Sequence, residues 1–375
     1  MTAENRTASA AAPATPYLLE IIRSDPFARL LQKTHQTPIS LGLIALTYSL
    51  LRTIALPALF GHLTTVEVNG QLILGMLDDW TVLVNELITV PVVAAYYLWQ
   101  PSAMQALYDG ISEKIGPSPL ARARAMEFVR PLRWPGWALA AILVGLLEAS
   151  FILYVFLNST TIIWETVNGV MLASSFVVRF FTFYMLVYVI LRQTYTIIGL
   201  NRLFAELTVK IAPLHPDKAG GLRILGDYVL STSLIIGAVG LYFGMNFIRQ
   251  ELNPFVITAE FYALLALYFV LAPLFFFLPL IQVHRRMKEA KGRLLTEVAD
   301  QFDIEYRKLL EGLKQDRLDS THILRVEAIQ KIYKIAEDAP EWPFNVEIVS
   351  KYAAAIVFPV LLPGVAQIFG EWFFR

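Results

Sequence analysis

Four ionisable side chains interrupt stretches that are otherwise apolar: Arg52, Glu86, Glu148 and Arg179. An ion in hydrocarbon is costly, so charged residues in such stretches face polar groups and often mark paths for ions or protons. At 1.5 Å per helical residue, Arg52, Glu86 and Glu148 lie about 9 Å below one membrane surface and Arg179 about 14 Å below it. These depths allow two ion pairs, Arg52 with Glu86 and Glu148 with Arg179.

Two interpretations of these charges compete. The pairs could fix helix packing, or they could line a polar cavity that opens outward and handles an ion or a charged solute. The balance of two charges against two favours packing, because a transport site often leaves one charge for its substrate. Glu86→Ala or Glu148→Ala is then expected to lower expression and thermal stability, whereas normal stability with altered flux would indicate transport.

The last apolar stretch combines small residues with prolines. Small residues allow close helix approach, and prolines release backbone carbonyls that can face a water-filled path. A pore-lining helix and a kinked packing helix would both have this composition, so both remain open. The candidate pore-lining residues are Ala354, Pro359, Pro363, Gly364 and Gln367.

Motifs of enzymes and metal sites are missing from the sequence. It contains no Walker A, zincin, serine-hydrolase or dinucleotide-binding pattern, and no cysteine. The absence of cysteine excludes disulfides, thiolate zinc sites and iron–sulfur clusters. Net charge is zero, which argues against a nucleic-acid partner. We therefore expect no enzymatic activity, no cofactor and no metal site.

The elements that hold the four charges are predicted to be membrane spans. With 56% hydrophobic and only 17% charged residues, the chain is too apolar for an ordinary soluble domain. A span needs about 20 mostly apolar residues. The sequence therefore predicts an all-α, polytopic membrane protein with seven transmembrane helices, over residues 38–60, 80–100, 134–157, 170–191, 228–247, 259–283 and 348–373.

Basic residues between these stretches predict the orientation. Counts of Lys and Arg in the segments before and between the spans run 4, 0, 5, 0, 5, 1 and 12. Basic segments stay in the cytoplasm. The alternation predicts a cytoplasmic N-terminus, an external C-terminus and a multi-pass location in the cell (inner) membrane.

The predicted organisation has four parts. Residues 1–37 form a cytosolic tail with an interfacial amphipathic helix broken at Pro26, and residues 38–283 form a six-span region. Residues 284–340 form a cytosolic helical hairpin, and residues 341–375 form an elbow and the seventh transmembrane helix. A short external β-hairpin is also expected around Asn69-Gly70.

A basic cluster opens the hairpin, directly after the sixth span. Anionic headgroups on the inner leaflet are its expected partners. Each helix of the hairpin carries one apolar stripe. The stripes could pack on each other, on the hairpin of a neighbouring subunit, or on a protein partner. The cluster comprises Arg285, Arg286, Lys288, Lys291 and Arg293.

In topology, the chain resembles the insect chemoreceptor channels, which also have seven spans, an internal N-terminus and a long cytosolic helix that leads into span seven. The resemblance lies in this architecture and not in a sequence motif. It implies a homo-oligomeric channel whose seventh helix lines the path and whose hairpin assembles or gates it. Two alternatives remain: a membrane-anchored signalling or scaffold protein that docks a partner through the hairpin, and a monomeric transporter that uses the intramembrane charges.

Overall fold

The computed structural model is mostly helical, which confirms the all-α class. It describes residues 21–68, 70–115, 127, 130–158, 162–206, 209, 211–252, 259–314, 320–344 and 346–373. The helices follow in chain order: α1 Pro26–Lys33, α2 Pro38–Leu59, α3 from Trp80 to Ile115, α4 Gly136–Asn158, α5 Gly169–Glu206, α6 Arg223–Leu252, α7 Ala259–Phe277, α8 Ile281–Lys314, α9 Ser320–Glu337 and α10 Val346–Phe373.

Five of the predicted spans lie on helices long and apolar enough to cross a membrane, namely α2, α3, α5, α6 and the continuous helix of α7 and α8. The other two lie on α4 and α10. There the described apolar stretches, Gly136–Phe151 and Ile348–Leu361, are shorter than a span. The chain therefore has the helices of a membrane protein, whereas seven crossings and their orientation stay predictions.

The long helices pack around α3. This helix contacts α2, α5 and α6, while α4 lies along α5 and α10 lies along α6. Buried aromatic and aliphatic side chains fill the space between them, with Tyr97, Leu107 and Tyr188 almost fully covered. Between helices in a bilayer such side chains stabilise the bundle through close van der Waals packing, because lipid tails are as apolar as the side chains themselves.

Two helices contain a turn of π-helix. The first covers Leu51–Ala55 within α2, and the second covers Asn85–Thr89 within α3. A π-turn inserts one residue into the helical repeat and re-aims its side chains, and it is frequent at functional sites. Arg52 and Glu86 lie on these two turns.

The expected hairpin is present as β1 (Val66–Val68) and β2 (Gln71–Leu74), which pair antiparallel, while its external location stays a prediction. Gly70 has φ +76°, which suits glycine in a tight turn. A third strand, β3 (Ile162–Ile163), pairs parallel with β2. The pairing joins β3 to the segment that leads into α3, which positions the residues directly after β3.

The N-terminal segment has the predicted break at Pro26, and its location at the membrane interface stays a prediction. Asp25 caps α1, and its carboxylate accepts a hydrogen bond from the Ala28 backbone N–H at 3.1 Å. Ile21, Ile22 and Leu31 are buried against the bundle. The helix therefore packs on other helices through its apolar side, and residues 1–20 lie outside the described residues.

One predicted loop is wrong at its start. The loop was expected from residue 192, but α5 continues to Glu206, so Arg192 lies inside a helix and is fully buried. The apolar pattern ends near Ile190, whereas buried contacts of the polar residues that follow keep the helix within the bundle.

The predicted hairpin between the sixth and seventh spans is present as α8 packed on α9. Val326 and Ala336 of α9 are buried, whereas Tyr306, Leu313 and Tyr333 of the two predicted stripes stay exposed. The stripes thus pack on each other only in part. The cytosolic location of the pair stays a prediction.

Candidate functional site

Arg52 is the centre of a buried cluster of charges. Its guanidinium contacts the Glu86 Oε1 at 2.9 Å and the Glu165 Oε1 at 2.8 Å. It also donates to the Ser175 Oγ at 2.6 Å, and its Cζ lies 5.1 Å from the centre of the Trp164 ring. The predicted partnership of Arg52 with Glu86 is present, and one cation contacts two carboxylates.

Glu165 was not predicted as a site residue, because it lies in the loop after α4, outside every apolar stretch. The strand pair β2–β3 and a 3-10 turn over Trp164–Thr166 carry it inward, where it is 1% exposed. The Trp164 indole N–H donates to Asp79 at 3.3 Å and fixes the ring beside Arg52. Its only sequence signal was a charged residue directly after three large apolar ones.

The other two predicted charges occupy separate places. Arg179 is half-buried and lines a cavity of about 70 Å³ together with Glu86 and Glu165. Glu148 is buried and lines a larger cavity next to it. Their pairing with one another stays a prediction. Glu165 adds an acid that was not in the predicted set. The predicted balance of two positive against two negative side chains therefore does not apply to this region.

A second buried ion pair joins the N-terminal segment to α5. Arg192 Nη2 lies 2.7 Å from Asp25 Oδ2, and neither side chain is exposed. Asp25 also accepts hydrogen bonds from the hydroxyls of Tyr97 at 2.6 Å and Tyr184 at 2.9 Å. Arg192 donates to the Tyr97 carbonyl at 2.8 Å and stacks over the Tyr97 and Tyr188 rings. Every strong hydrogen-bonding direction of the carboxylate is therefore used.

An elongated cavity of about 290 Å³, here named the inter-helix chamber, lies among α3, α4, α5, α6 and α7. Its wall is mainly aliphatic and aromatic. Its polar lining includes Thr89, Gln100, Glu148, Thr182 and Gln193. The chamber shares Thr89, Thr182, Phe183 and Tyr242 with the small charged cavity, so the two are adjacent.

The candidate pore-lining residues lie on α10. Ala354 is exposed and Pro359 is half-buried beside Gly240 of α6. The Tyr268 hydroxyl donates to the Ile356 carbonyl at 3.1 Å, which attaches α7 to α10. The side chains of Pro363, Gly364 and Gln367 lie outside the part of the chain that the structure describes.

The basic cluster on α8 divides into two groups. Arg286 donates to the carbonyls of Phe204 at 3.0 Å and Ala205 at 3.1 Å, so it caps the end of α5. Lys291 reaches Glu341 of the elbow at 3.4 Å. Arg285, Lys288 and Arg293 are exposed and remain the residues available to headgroups.

The elbow connects α9 to α10 and is held against α8. His284 Nδ1 lies 2.8 Å from the Glu341 carbonyl oxygen, and the His284 ring stacks on Trp342 with centres 4.0 Å apart. On the other side, the Pro343 carbonyl lies so close to Gly226 of α6 that a Cβ there would meet it at 2.7 Å. The elbow is therefore held by contacts with both α8 and α6.

Comparison with family models, curated proteins and solved structures found no match to this chain.

Proposed function

We propose that the chain forms a homo-oligomeric membrane channel in which α10 of each copy lines the path and the α8–α9 hairpin holds the copies together. The observation that carries this proposal is the apolar surface of α9. In the predicted topology α9 lies in the cytosol, where no lipid covers it. Its large exposed hydrophobic residues, with their exposed fractions, are Ile323 37%, Leu324 65%, Ile332 45%, Tyr333 40% and Ile335 57%.

Leu324, Ile332 and Ile335 share one face of α9 at helical spacing, and exposed apolar surface on a water-facing helix is typical of a contact with another protein. Most oligomers are symmetric assemblies of identical chains. A second copy is therefore the simplest partner to cover this apolar surface. α8 also has an exposed apolar face, with Tyr306, Leu310 and Leu313 each exposed by 39% or more. The α8 helix of one copy can therefore contact the α9 helix of its neighbour.

The elbow connects the exposed apolar surface of α9 to α10, which belongs to the predicted membrane region. α10 buries Tyr352 and Val360 against the bundle and directs Ala354, Val357 and Phe358 away from it. If α9 contacts a neighbouring copy, α10 lies near the same boundary. A helix at that boundary with exposed alanines and two prolines suits a path between copies.

The experiment measures particle mass and conductance. The purified chain in nanodiscs is expected to give a mass of several copies and single-channel currents in a planar bilayer. Leu324→Glu together with Ile335→Glu should shift the mass towards one copy and abolish the currents. Gln330→Glu adds a glutamate to an exposed position of the same helix and should change neither quantity.

Other outcomes would select the alternatives. A single-copy particle that moves a solute in liposomes, and loses transport but not stability with Glu86→Gln, would support a transporter. An oligomer that is silent in the bilayer under all tested voltages and lipids would contradict the channel and support a scaffold.

A further inference from the structure

The inter-helix chamber has an apolar wall with a polar end. The wall includes Leu186, Ile236, Phe243, Leu264 and Phe275. Gln100 of α3 and Gln193 of α5 lie at one end, with exposed fractions of 0% and 2%. Two buried amides in such a wall need partners, because an unsatisfied polar group in an apolar environment is costly.

Each of these amides uses only one of its two polar atoms within the described part of the chain. Gln193 Oε1 accepts from the Tyr228 hydroxyl at 2.9 Å, and Gln193 Nε2 has no hydrogen-bond partner there. Gln100 Nε2 donates to the Val189 carbonyl at 3.1 Å, and Gln100 Oε1 has no partner there. The Tyr228 hydroxyl also lies beside the Gln100 side chain, but its single proton can serve only one of the two amide oxygens at a time. One donor and one acceptor are therefore left at this end.

The chamber is long enough for a chain-like molecule. Thr89 and Thr182 line its other end, eleven residues before Gln100 on α3 and eleven before Gln193 on α5. At the rise of an α-helix this separation is about 16 Å. The Thr182 hydroxyl also has no hydrogen-bond partner among the described residues.

The chamber is reached from the side of the bundle. Val144, Ile190 and Leu267 line it, and they are exposed by 38%, 37% and 48%. They belong to helices of the membrane region, so their exposed surface faces lipid. A molecule dissolved in the bilayer can enter between these side chains without crossing water.

We propose that the chamber binds a neutral, single-chain fatty alcohol from the bilayer, with its hydroxyl between Gln100 and Gln193. A hydroxyl donates one hydrogen bond and accepts another, which matches Gln100 Oε1 and Gln193 Nε2. A carboxylate offers no hydrogen to Gln100, and an ammonium offers no acceptor to Gln193. The alkyl chain lies along the apolar wall. This site does not rest on the channel proposal, because it needs neither a second copy nor a path.

The test compares two probes on the full chain in nanodiscs, 1-decanol and n-decane, at equal mole fractions in the lipid. Decanol should raise the midpoint of thermal unfolding and saturate, while decane should bind at least fivefold more weakly because it makes no hydrogen bond. Gln193→Leu and Gln100→Leu should each weaken decanol binding about fivefold and leave decane unchanged. Gln301→Leu, at an exposed position of α8, is the matched control.

The comparison of the two probes on the unaltered chain needs no variant, so the test survives a failure of either glutamine variant to fold. Equal affinity for decanol and decane would overturn the proposal. So would unchanged decanol binding in a folded Gln193→Leu protein. Leu267→Trp, which narrows the entrance and touches neither amide, should slow decanol binding.

Discussion

Arg192 and Asp25 are 167 residues apart in the chain, yet their side chains meet at 2.7 Å with neither exposed. Asp25 ends the N-terminal segment and caps α1, while Arg192 lies in the second half of α5. Two tyrosine hydroxyls and a backbone N–H complete the carboxylate's hydrogen bonds. The pair therefore attaches the N-terminal segment to the bundle at one point.

Removing one partner of this pair should be strongly destabilising. Asp25→Ala leaves the Arg192 guanidinium buried without its counter-ion and removes the cap of α1. Breaking a buried pair in this way costs about 3–5 kcal/mol. We expect a marked fall in the midpoint of thermal unfolding in detergent, and faster proteolysis around residue 25.

Two further variants separate charge from packing. Asp25→Leu combined with Arg192→Met removes both charges and should be more stable than either single variant. Asp303→Ala, on an exposed face of α8, should leave the midpoint unchanged. If the double variant unfolded at a midpoint no higher than that of the less stable single variant, the broken ion pair would not be the source of the lost stability.

Arg52 should matter more for stability than either of its carboxylate partners. Glu86→Gln leaves Arg52 with Glu165 at 2.8 Å, whereas Arg52→Met removes the cation that contacts both buried carboxylates. We expect a loss of about 3–5 kcal/mol for Arg52→Met and a smaller one for Glu86→Gln. The measurement is the thermal midpoint in detergent together with the expression level.

Arg293→Met is the control for loss of an arginine, because Arg293 is exposed on α8. A Glu86→Gln protein as unstable as Arg52→Met would contradict the sharing of one cation by two acids. The effects of Glu86→Gln and Glu165→Gln should not add, since both act through Arg52.

The sequence was informative where a charge interrupts an apolar run. Arg52 and Glu86 were visible because hydrocarbon on both sides makes a charge anomalous, and depth alone matched them. The helices of the predicted spans could be recognised from the length and the apolar composition of their segments. The π-turns that aim the two side chains leave no mark in composition, so their geometry was not predictable.

Asp25, Glu165 and Arg192 were missed because each lies just outside an apolar run, where a charge is ordinary. Their burial comes from contacts far along the chain: β2 with β3 for Glu165, and α1 with α5 for the other two. The chamber was missed because Gln100 and Gln193 are polar residues at the predicted ends of spans. Such contacts depend on the packing of whole helices, which one sequence does not specify.

The α8–α9 hairpin should loosen in acid through Glu305. Lys308 at 2.8 Å and His322 at 3.0 Å hydrogen-bond its carboxylate, with Arg325 at 3.8 Å, and together they lower the Glu305 pKa. A lowered pKa stabilises the folded form above the ordinary glutamate value of about 4.3. That stability is lost as the pH falls from this value through the lowered pKa.

Hydrogen exchange of α8 and α9 in the full chain, followed from pH 7 to pH 3 with correction for intrinsic rates, measures this effect. Protection should fall below about pH 4.3 in the unaltered protein. Glu305→Gln should be less protected at pH 7 and should show a flatter pH dependence. Glu311→Gln, at an exposed position of α8, should behave like the unaltered chain. If Glu305→Gln lost protection in acid to the same extent as the unaltered chain, the acid response would come from groups other than Glu305.

Close packing of α6 makes Gly240 intolerant of a methyl group. A Cβ at Gly240 would lie 2.6 Å from the Tyr268 hydroxyl, which contacts the carbonyls of Ile236 at 3.2 Å and Ile356 at 3.1 Å. Gly240→Ala should therefore displace this hydroxyl from both carbonyls. Overpacking of this kind costs about 1–3 kcal/mol, seen as a lower thermal midpoint.

Gly292→Ala is the matched control on α8, since nothing lies within 4 Å of a Cβ there. It should stabilise by about 0.5–1 kcal/mol, because alanine loses less backbone entropy in a helix. Tyr268→Phe should rescue part of the loss in Gly240→Ala, because it removes the clashing oxygen and leaves the ring Cζ at 3.3 Å. If Tyr268→Phe does not rescue Gly240→Ala, the strain lies instead at Pro359, whose Cβ is 3.5 Å from the same point.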